Sequence, residues 1–169
     1  MNGPEKLLVL EAAGPIENGP PPSTIRPLAA IDYDSWLSLW LGYQAFYRVE
    51  IADGVSRKTW NRLLDPVEPM FGAASIDGAG RAIGLVHWIL HRSTWTEGDY
   101  CYLQDLFVAP WARGRSVGRG LIEHVYQAAK AAGCPRVHWL THETNTVALL
   151  LYDGISERSG FVQYRRLLD

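Results

Sequence analysis

The sequence predicts an α/β domain with a mixed central sheet of about six to seven strands flanked by about four helices. Three observations carry that expectation. Short β-type runs interleave with segments whose apolar residues recur at helical spacing. A chain of 169 residues with 47% hydrophobic content is long and apolar enough for one real core. In its middle, the apolar run through Asp105-Leu106-Phe107-Val108 feeds a tight basic, glycine-containing turn and then an amphipathic helix. No internal repeat interrupts this order.

Residues 1–23 differ from the rest. Gly14-Pro15, Gly19-Pro20, Pro21 and Pro22 break helix and strand alike, so an extended arm is expected, with Leu7–Leu10 as a minor candidate for an edge strand. The domain proper, 24–169, opens with a strand at Thr24–Leu28. Asp32 then offers an N-cap to a helix in which Tyr33, Trp36, Leu37, Trp40 and Tyr47 share a face. A second helix is expected over about Val55–Leu64. Met70–Ile76 and Arg81–Leu90 read as strands joined by the hairpin turn Asp77-Gly78-Ala79-Gly80. Tyr100–Val108 is the next strand. A helix carrying the apolar stripe Leu121, Val125, Ala128 and Ala132 follows, then a strand at 136–141, a helix at 145–159 and a last strand near 161–167.

The turn after Val108 has chemical meaning. A strand that passes through small residues into a helix start leaves several backbone N–H groups unpaired and pointing one way, an arrangement suited to a pyrophosphate. By itself such a turn is equally a plain connector. A Walker-type loop would end in Gly-Lys-Ser/Thr, and a dinucleotide fingerprint needs a glycine spacing that this chain lacks. Arg113-Gly114-Arg115-Ser116-Val117-Gly118 resembles instead the diphosphate-binding motif of the GNAT N-acetyltransferases, with Ser116 in place of the usual first glycine. The register Arg115-x-x-Gly118-x-Gly120 also fits the letters but sets the loop half a turn into the helix. A serine hydroxyl at position 116 is expected to cap the helix, although the side chain crowds the cofactor path.

A second segment strengthens the resemblance. Asn145-x-x-Ala148-x-x-Leu151-Tyr152 followed by Gly160-Phe161 is similar to the closing pattern of the same family. Asn145, Ala148 and Tyr152 stand at i, i+3 and i+7, on one helix face. The intervening Asp153–Ser159 suggests a helix about a turn longer than in many relatives, as in the histone- and polyamine-acetyltransferase-like branch. Taken alone, Tyr152 reads as a core tyrosine with a satisfied hydroxyl.

The resemblance implies acetyl-CoA as co-substrate and a primary amine, in a small molecule or a peptide, as acceptor. It implies that Leu106, Phe107 and Val108 pair with the pantetheine arm, that Arg113 to Gly118 hold the diphosphate, and that Asn145 lines the cofactor. Tyr152 is then the proton donor to the departing thiolate. A free alkyl amine has a pKa of about 10, so attack needs a base. Asp105 is the first candidate, with His142 and Glu143 in reserve. Tyr43 and Tyr47, at the end of the first helix, are expected at the acceptor pocket, and the loop His91–Asp99 with Arg92, Trp95 and Glu97 is another wall.

Other features exclude more than they assign. His87/His91 and His138/His142 are four apart, a metal spacing on a helix, but on strands four residues span roughly 13 Å, so no metal is expected. Most of the seven tryptophans are expected in the core. Cys101 and Cys134 read as buried thiols without a disulfide framework. A net charge of −2 argues against nucleic acid. The absence of a long apolar run or a secretory pattern argues against a membrane and for a cytoplasmic protein, and a homodimer is expected. Two other functions fit the same motifs: an acetyl-CoA-binding sensor that transfers nothing, and a transferase using a longer acyl-CoA.

Overall fold

The computed structural model describes residues 23–168. All but the last residue of the arm expected at 1–23, with its candidate edge strand, lies outside them. Five strands form one sheet in the order in which they occur along the chain. β1 (Thr24–Pro27), β2 (Met70–Ile76), β3 (Ala82–His91) and β4 (Tyr100–Val108) are antiparallel neighbours, and β5 (Val137–His138) joins β4 in parallel. Between β1 and β2 lie α1 (Tyr33–Tyr47) and α2 (Asp53–Leu64); α3 (Val117–Ala131) crosses from β4 to β5, and α4 (Thr146–Asp153) follows β5.

Strand alternation assigns the two sheet faces. Trp36 of α1 meets His87, whereas His124 of α3 meets the adjacent Trp88, so α1 and α3 cover opposite faces. On the α3 side, Val117, Leu121, Ile122, Val125 and Ala129 form the buried stripe, and Gly84 of β3 lets the helix approach closely. A Cβ there would stand 3.0 Å from Leu121 and 3.1 Å from the Phe107 carbonyl. On the α1 side an aromatic ladder fills the core: Trp36 stacks on Trp40, Trp40 on Tyr43, and Trp60 of α2 leans against Trp36. The Trp40 indole donates to Ser56 Oγ at 3.1 Å, tying α1 to α2.

Turn chemistry places the hairpin where the residues predict it. Asp77 Oδ1 accepts the amides of Ala79 and Arg81, both at 2.9 Å, and Gly80 supplies the left-handed step. Asp32 behaves differently from expectation. Its side chain makes no cap bond to α1 and accepts the Ala29 amide (2.8 Å) and the Arg26 guanidinium (2.6 and 2.7 Å), closing the short 3₁₀ turn that precedes the helix.

The C-terminal third departs most from the sequence reading. The strand expected at 136–141 is only Val137–His138, because Trp139 turns away to pack against Tyr126 and Tyr152. The helix expected at 145–159 ends at Asp153: Gly154 follows, the Ser156 hydroxyl donates to the Tyr152 carbonyl at 2.7 Å, and Arg158 folds back onto Asp153. Among the described residues, 161–167 form no strand, so the sheet has five strands rather than six or seven. A strand needs an edge to pair with, and the two-residue β5 offers almost none. Of the tryptophans, Trp36, Trp40, Trp60 and Trp88 are buried, but Trp95 and Trp111 are exposed. Cys101 is buried as expected, whereas Cys134 is only half-buried.

Candidate active site

β4 is the axis of the site. β3 pairs with it from Tyr100 to Val108, but β5 pairs only at Cys101 and Tyr102. Beyond Tyr102 the two parallel strands part, and among the described residues no strand pairs with Leu103–Val108 on that edge. Such an edge carries unused N–H and C=O groups at every second residue, ready for another chain of amides. Leu106 and Val108 are half-buried along it, while Phe107 points to the opposite face beneath α1. Phe107 packs so closely that a Cβ at Gly42 would lie 2.9 Å from its ring.

The open edge leads into the basic turn. A 3₁₀ turn at Pro110–Ala112 breaks the strand, Gly114 and Ser116 both take left-handed conformations, and α3 begins at Val117. The first helical bond runs from the Gly120 amide to the Ser116 carbonyl at 2.9 Å. The amides of Val117, Gly118 and Arg119 therefore precede any intrahelical partner and face outward at the positive end of the helix dipole. A Cβ at Gly118 would meet only Leu151 and Val108, at 3.6 and 3.7 Å, so the chain's own packing does not require a glycine there. Arg113 donates through Nε to the Val108 carbonyl at 3.0 Å, and its guanidinium rests against Phe46 and Phe107. Arg115 is exposed. Ser116 makes no side-chain cap bond, contrary to the expectation from sequence, because its left-handed backbone (φ 60°) leaves no capping contact.

The titratable groups converge on the α1 face of β4. A bulge between His87 and Trp88 of β3, opposite Asp105 and Leu103, leaves Gln104 without a partner and re-aims Asp105. Asp105 is buried, and its Oδ2 lies 3.0 Å from His87 Nδ1. Burial, reinforced by the Asp105 charge, holds the Tyr43 hydroxyl well above the ordinary phenol range. The same two causes raise Tyr47 and Tyr102, with the Asn145 amide opposing the rise at Tyr47. Tyr152 is pushed up to about 12, chiefly by burial and then by Tyr47. Tyr43 and Tyr47 are 4.9 Å apart between ring centroids, and Tyr152 stands edge-on to Trp139 at 5.3 Å.

The fold thus brings Tyr43, Tyr47, Asp105, Asn145 and Tyr152 toward one region between the end of α1, the bulged β4 and α4. The reserve bases do not join it: His142 and Glu143 are exposed, and His142 is occupied with Thr144 Oγ1 at 2.7 Å. Arg92 and Trp95, candidates for another wall, are also exposed. The histidine pairs of the sequence are broken up, since His87 bonds Trp36 and Asp105 while His91 meets His138 at 3.1 Å. Among the described residues, no group of three or more His, Cys, Asp or Glu could hold a metal. A cleft of about 600 Å³ opens between α1 and the β2–β3 turn, but it contains none of these converging groups.

Sequence reasoning missed Trp36 and His87 as neighbours of the site. Their partners lie 51 and 18 residues away, and only the strand pairing brings them together.

Known proteins agree with this architecture. A D-amino-acid N-acetyltransferase of Saccharomyces cerevisiae is 35% identical over 143 residues, which is 84% of this chain and 89% of that protein. A thialysine N-epsilon-acetyltransferase of Mus musculus is 32% identical over 87 residues, 48% of this chain and 49% of its own length. The solved structure of AAC(6')-Iy with a bisubstrate analogue built on CoA superimposes with a TM-score of 0.75 at 18% identity, over 87% of this chain and 99% of that one. The model of the acetyltransferase (GNAT) family matches residues 33–154, from the first residue of α1 to just past α4. With that match spanning the bulged strand, the basic turn and the last helix, the chain belongs to the GNAT acetyltransferase family.

Proposed function

We propose that this protein transfers an acetyl group from acetyl-CoA to a primary amine by direct attack in a ternary complex. The observation that carries the reading is the open edge of Leu103–Val108 running into the left-handed turn and the N-terminus of α3. An extended amide-bearing arm suits the strand edge, and a diphosphate suits the free amides of Val117, Gly118 and Arg119. The space kept at Gly118 fits the same ligand.

Acetyl-CoA supplies an electrophilic thioester carbonyl, and the residues do the rest. An amide of the β4 edge polarises the carbonyl oxygen, a contact worth roughly 3 kcal/mol where water is excluded. Asp105, the only acidic side chain among the converging groups, takes the amine's proton directly or through water. Tyr152 stays protonated throughout the neutral range and donates to the leaving thiolate, whose conjugate acid has a pKa near 8.5. Tyr43 and Tyr47 border the acceptor. A small amine carrying a carboxylate is the leading acceptor class, on the strength of the D-amino-acid and thialysine acetyltransferases among the relatives. We also propose a homodimer, because apolar residues of α4 and of the C-terminal segment lie uncovered.

Acetyl-CoA at a hundred times its dissociation constant is expected to stabilise the fold by about 2.7 kcal/mol. Gly118→Glu abolishes that shift, because it sets bulk and negative charge against a diphosphate. A thermal shift assay with millimolar acetyl-CoA, followed by thiol release against D-lysine, thialysine and polyamines, tests both halves. No shift in the wild type, or an equal shift in the variant, removes the cofactor assignment. A shift without thiol release from any amine favours a sensor.

A further inference from the structure

The buried face beneath Asp105 holds a hydrogen-bonded relay that the reaction as described does not use. The Trp36 indole donates to His87 Nε2 at 2.9 Å, and His87 Nδ1 lies 3.0 Å from Asp105 Oδ2. Trp36 is 1% exposed, His87 2% and Asp105 7%, so water does not compete for these bonds. An indole nitrogen can only donate. Nε2 must therefore accept, which places the single ring proton on Nδ1, where it is donated to the carboxylate. An imidazolium would set two N–H groups against each other across the 2.9 Å contact.

We propose that Trp36 and His87 are positioning residues for the Asp105 base: Trp36 locks His87 as the neutral Nδ1–H tautomer, and His87 orients the carboxylate without neutralising it. A neutral donor fixes one oxygen and leaves the charge available to an incoming ammonium, whereas an imidazolium in the same place would form an ion pair and weaken the base. The other titratable groups facing Asp105 are Tyr43 and Tyr47 from α1 and Tyr102 from β4 itself, and none of them is a cation. The bulge at Gln104 supports the same role, because it turns Asp105 onto the face that His87 occupies. This inference rests on the reading of Asp105 as the base.

The test compares turnover as a function of pH with acetyl-CoA and D-lysine or thialysine. Trp36→Phe keeps the aromatic packing and removes the indole donor to Nε2, leaving that nitrogen open to a second proton as pH falls. The ratio of variant to wild-type turnover is expected to be flat on the alkaline side and to fall about tenfold as pH is lowered toward about 5. The ratio cancels the ionisation of the acceptor amine. Trp36→Phe/His87→Gln should lose the fall, since glutamine does not titrate, and His87→Gln should retain most of the activity that His87→Leu loses. A flat ratio for Trp36→Phe, a fall that persists in the double variant, or equal losses for His87→Gln and His87→Leu overturns the relay. Asp105→Asn separates the two readings: full turnover there removes the base and the relay together, whereas lost turnover with a flat Trp36→Phe ratio removes the relay alone. Independently of any acceptor or variant, a long-range ¹H–¹⁵N spectrum of histidine-labelled protein should show His87 as the neutral Nδ1–H form across about pH 6 to 8. An Nε2–H tautomer or an imidazolium at neutral pH overturns the proposal.

Discussion

Ser116 and Tyr152 show how much one residue's backbone and surroundings change its meaning. Ser116 is a non-glycine residue at φ 60° that makes no capping bond, so its side chain costs conformational energy and returns no hydrogen bond. Ser116→Gly is expected to raise stability by up to about 1 kcal/mol, measured by urea denaturation, and to leave acetyl-CoA binding unchanged or tighter. A loss of stability would mean that the hydroxyl has a partner after all. Tyr152→Phe keeps the contact with Trp139 and removes only the hydroxyl proposed as the proton donor. Turnover should fall by roughly 10²-fold with little change in the Michaelis constant for acetyl-CoA, read by single-turnover kinetics. With its pKa pushed up to about 12, Tyr152 contributes no alkaline limb to the rate profile in the usual assay range. Asp105 and Tyr152 were legible as candidates from motif position alone. His87 was not, because a histidine on a strand announces its partners only after the strands are paired.

Among the elements, those with their own turn chemistry or apolar pattern are the ones the sequence specifies. The β2–β3 hairpin follows from Asp77 and Gly80, and β4 runs from Tyr100 to Val108 as its apolar residues require. α3 follows from its five-residue buried stripe. The elements that depend on a neighbour were misread. β5 and the expected last strand share the hydrophobic composition of strands, but composition does not reveal whether an edge exists to receive them. α4 only half-buries its inner face, Leu151 and Tyr152 included, and Val147 and Leu150 are 76% and 79% exposed. Phe161, Val162, Tyr164, Leu167 and Leu168 are exposed to between 73% and 92%. Apolar surface of this extent beside an open sheet edge is expected to be covered by a second copy. Light scattering should report a dimer, and removal of residues 155–169 should give a monomer. A monomeric full-length protein would refute the homodimer.

At the scale of the whole molecule, the partly buried phenols couple stability to alkaline pH. Tyr43, Tyr47, Tyr102, Tyr126 and Tyr152 are all raised above the ordinary phenol value, each chiefly by burial, and the Cys101 thiol is pushed up to about 12 in the same way. Below about pH 8 the folded and unfolded chains both hold these protons, and the stabilisation is complete. Above that, the unfolded chain releases first the thiol proton and then, near pH 10, the phenol protons while the folded chain retains them. Unfolding is therefore favoured as pH rises. Urea midpoints should drop between about pH 8 and about pH 11, and drop less in Tyr152→Phe; equal drops would show that Tyr152 is open to water. The order of the sheet has a kinetic counterpart. Because β1 to β5 lie side by side in chain order, β2, β3 and β4 can zip as successive hairpins with short loop closures, whereas β5 must wait for α3 to form and dock. The divergent edge is thus the last part of the sheet to assemble, and amide hydrogen exchange there should open at the lowest free energy. The strand separation proposed to admit acetyl-CoA is also the seam along which the domain is expected to come apart first.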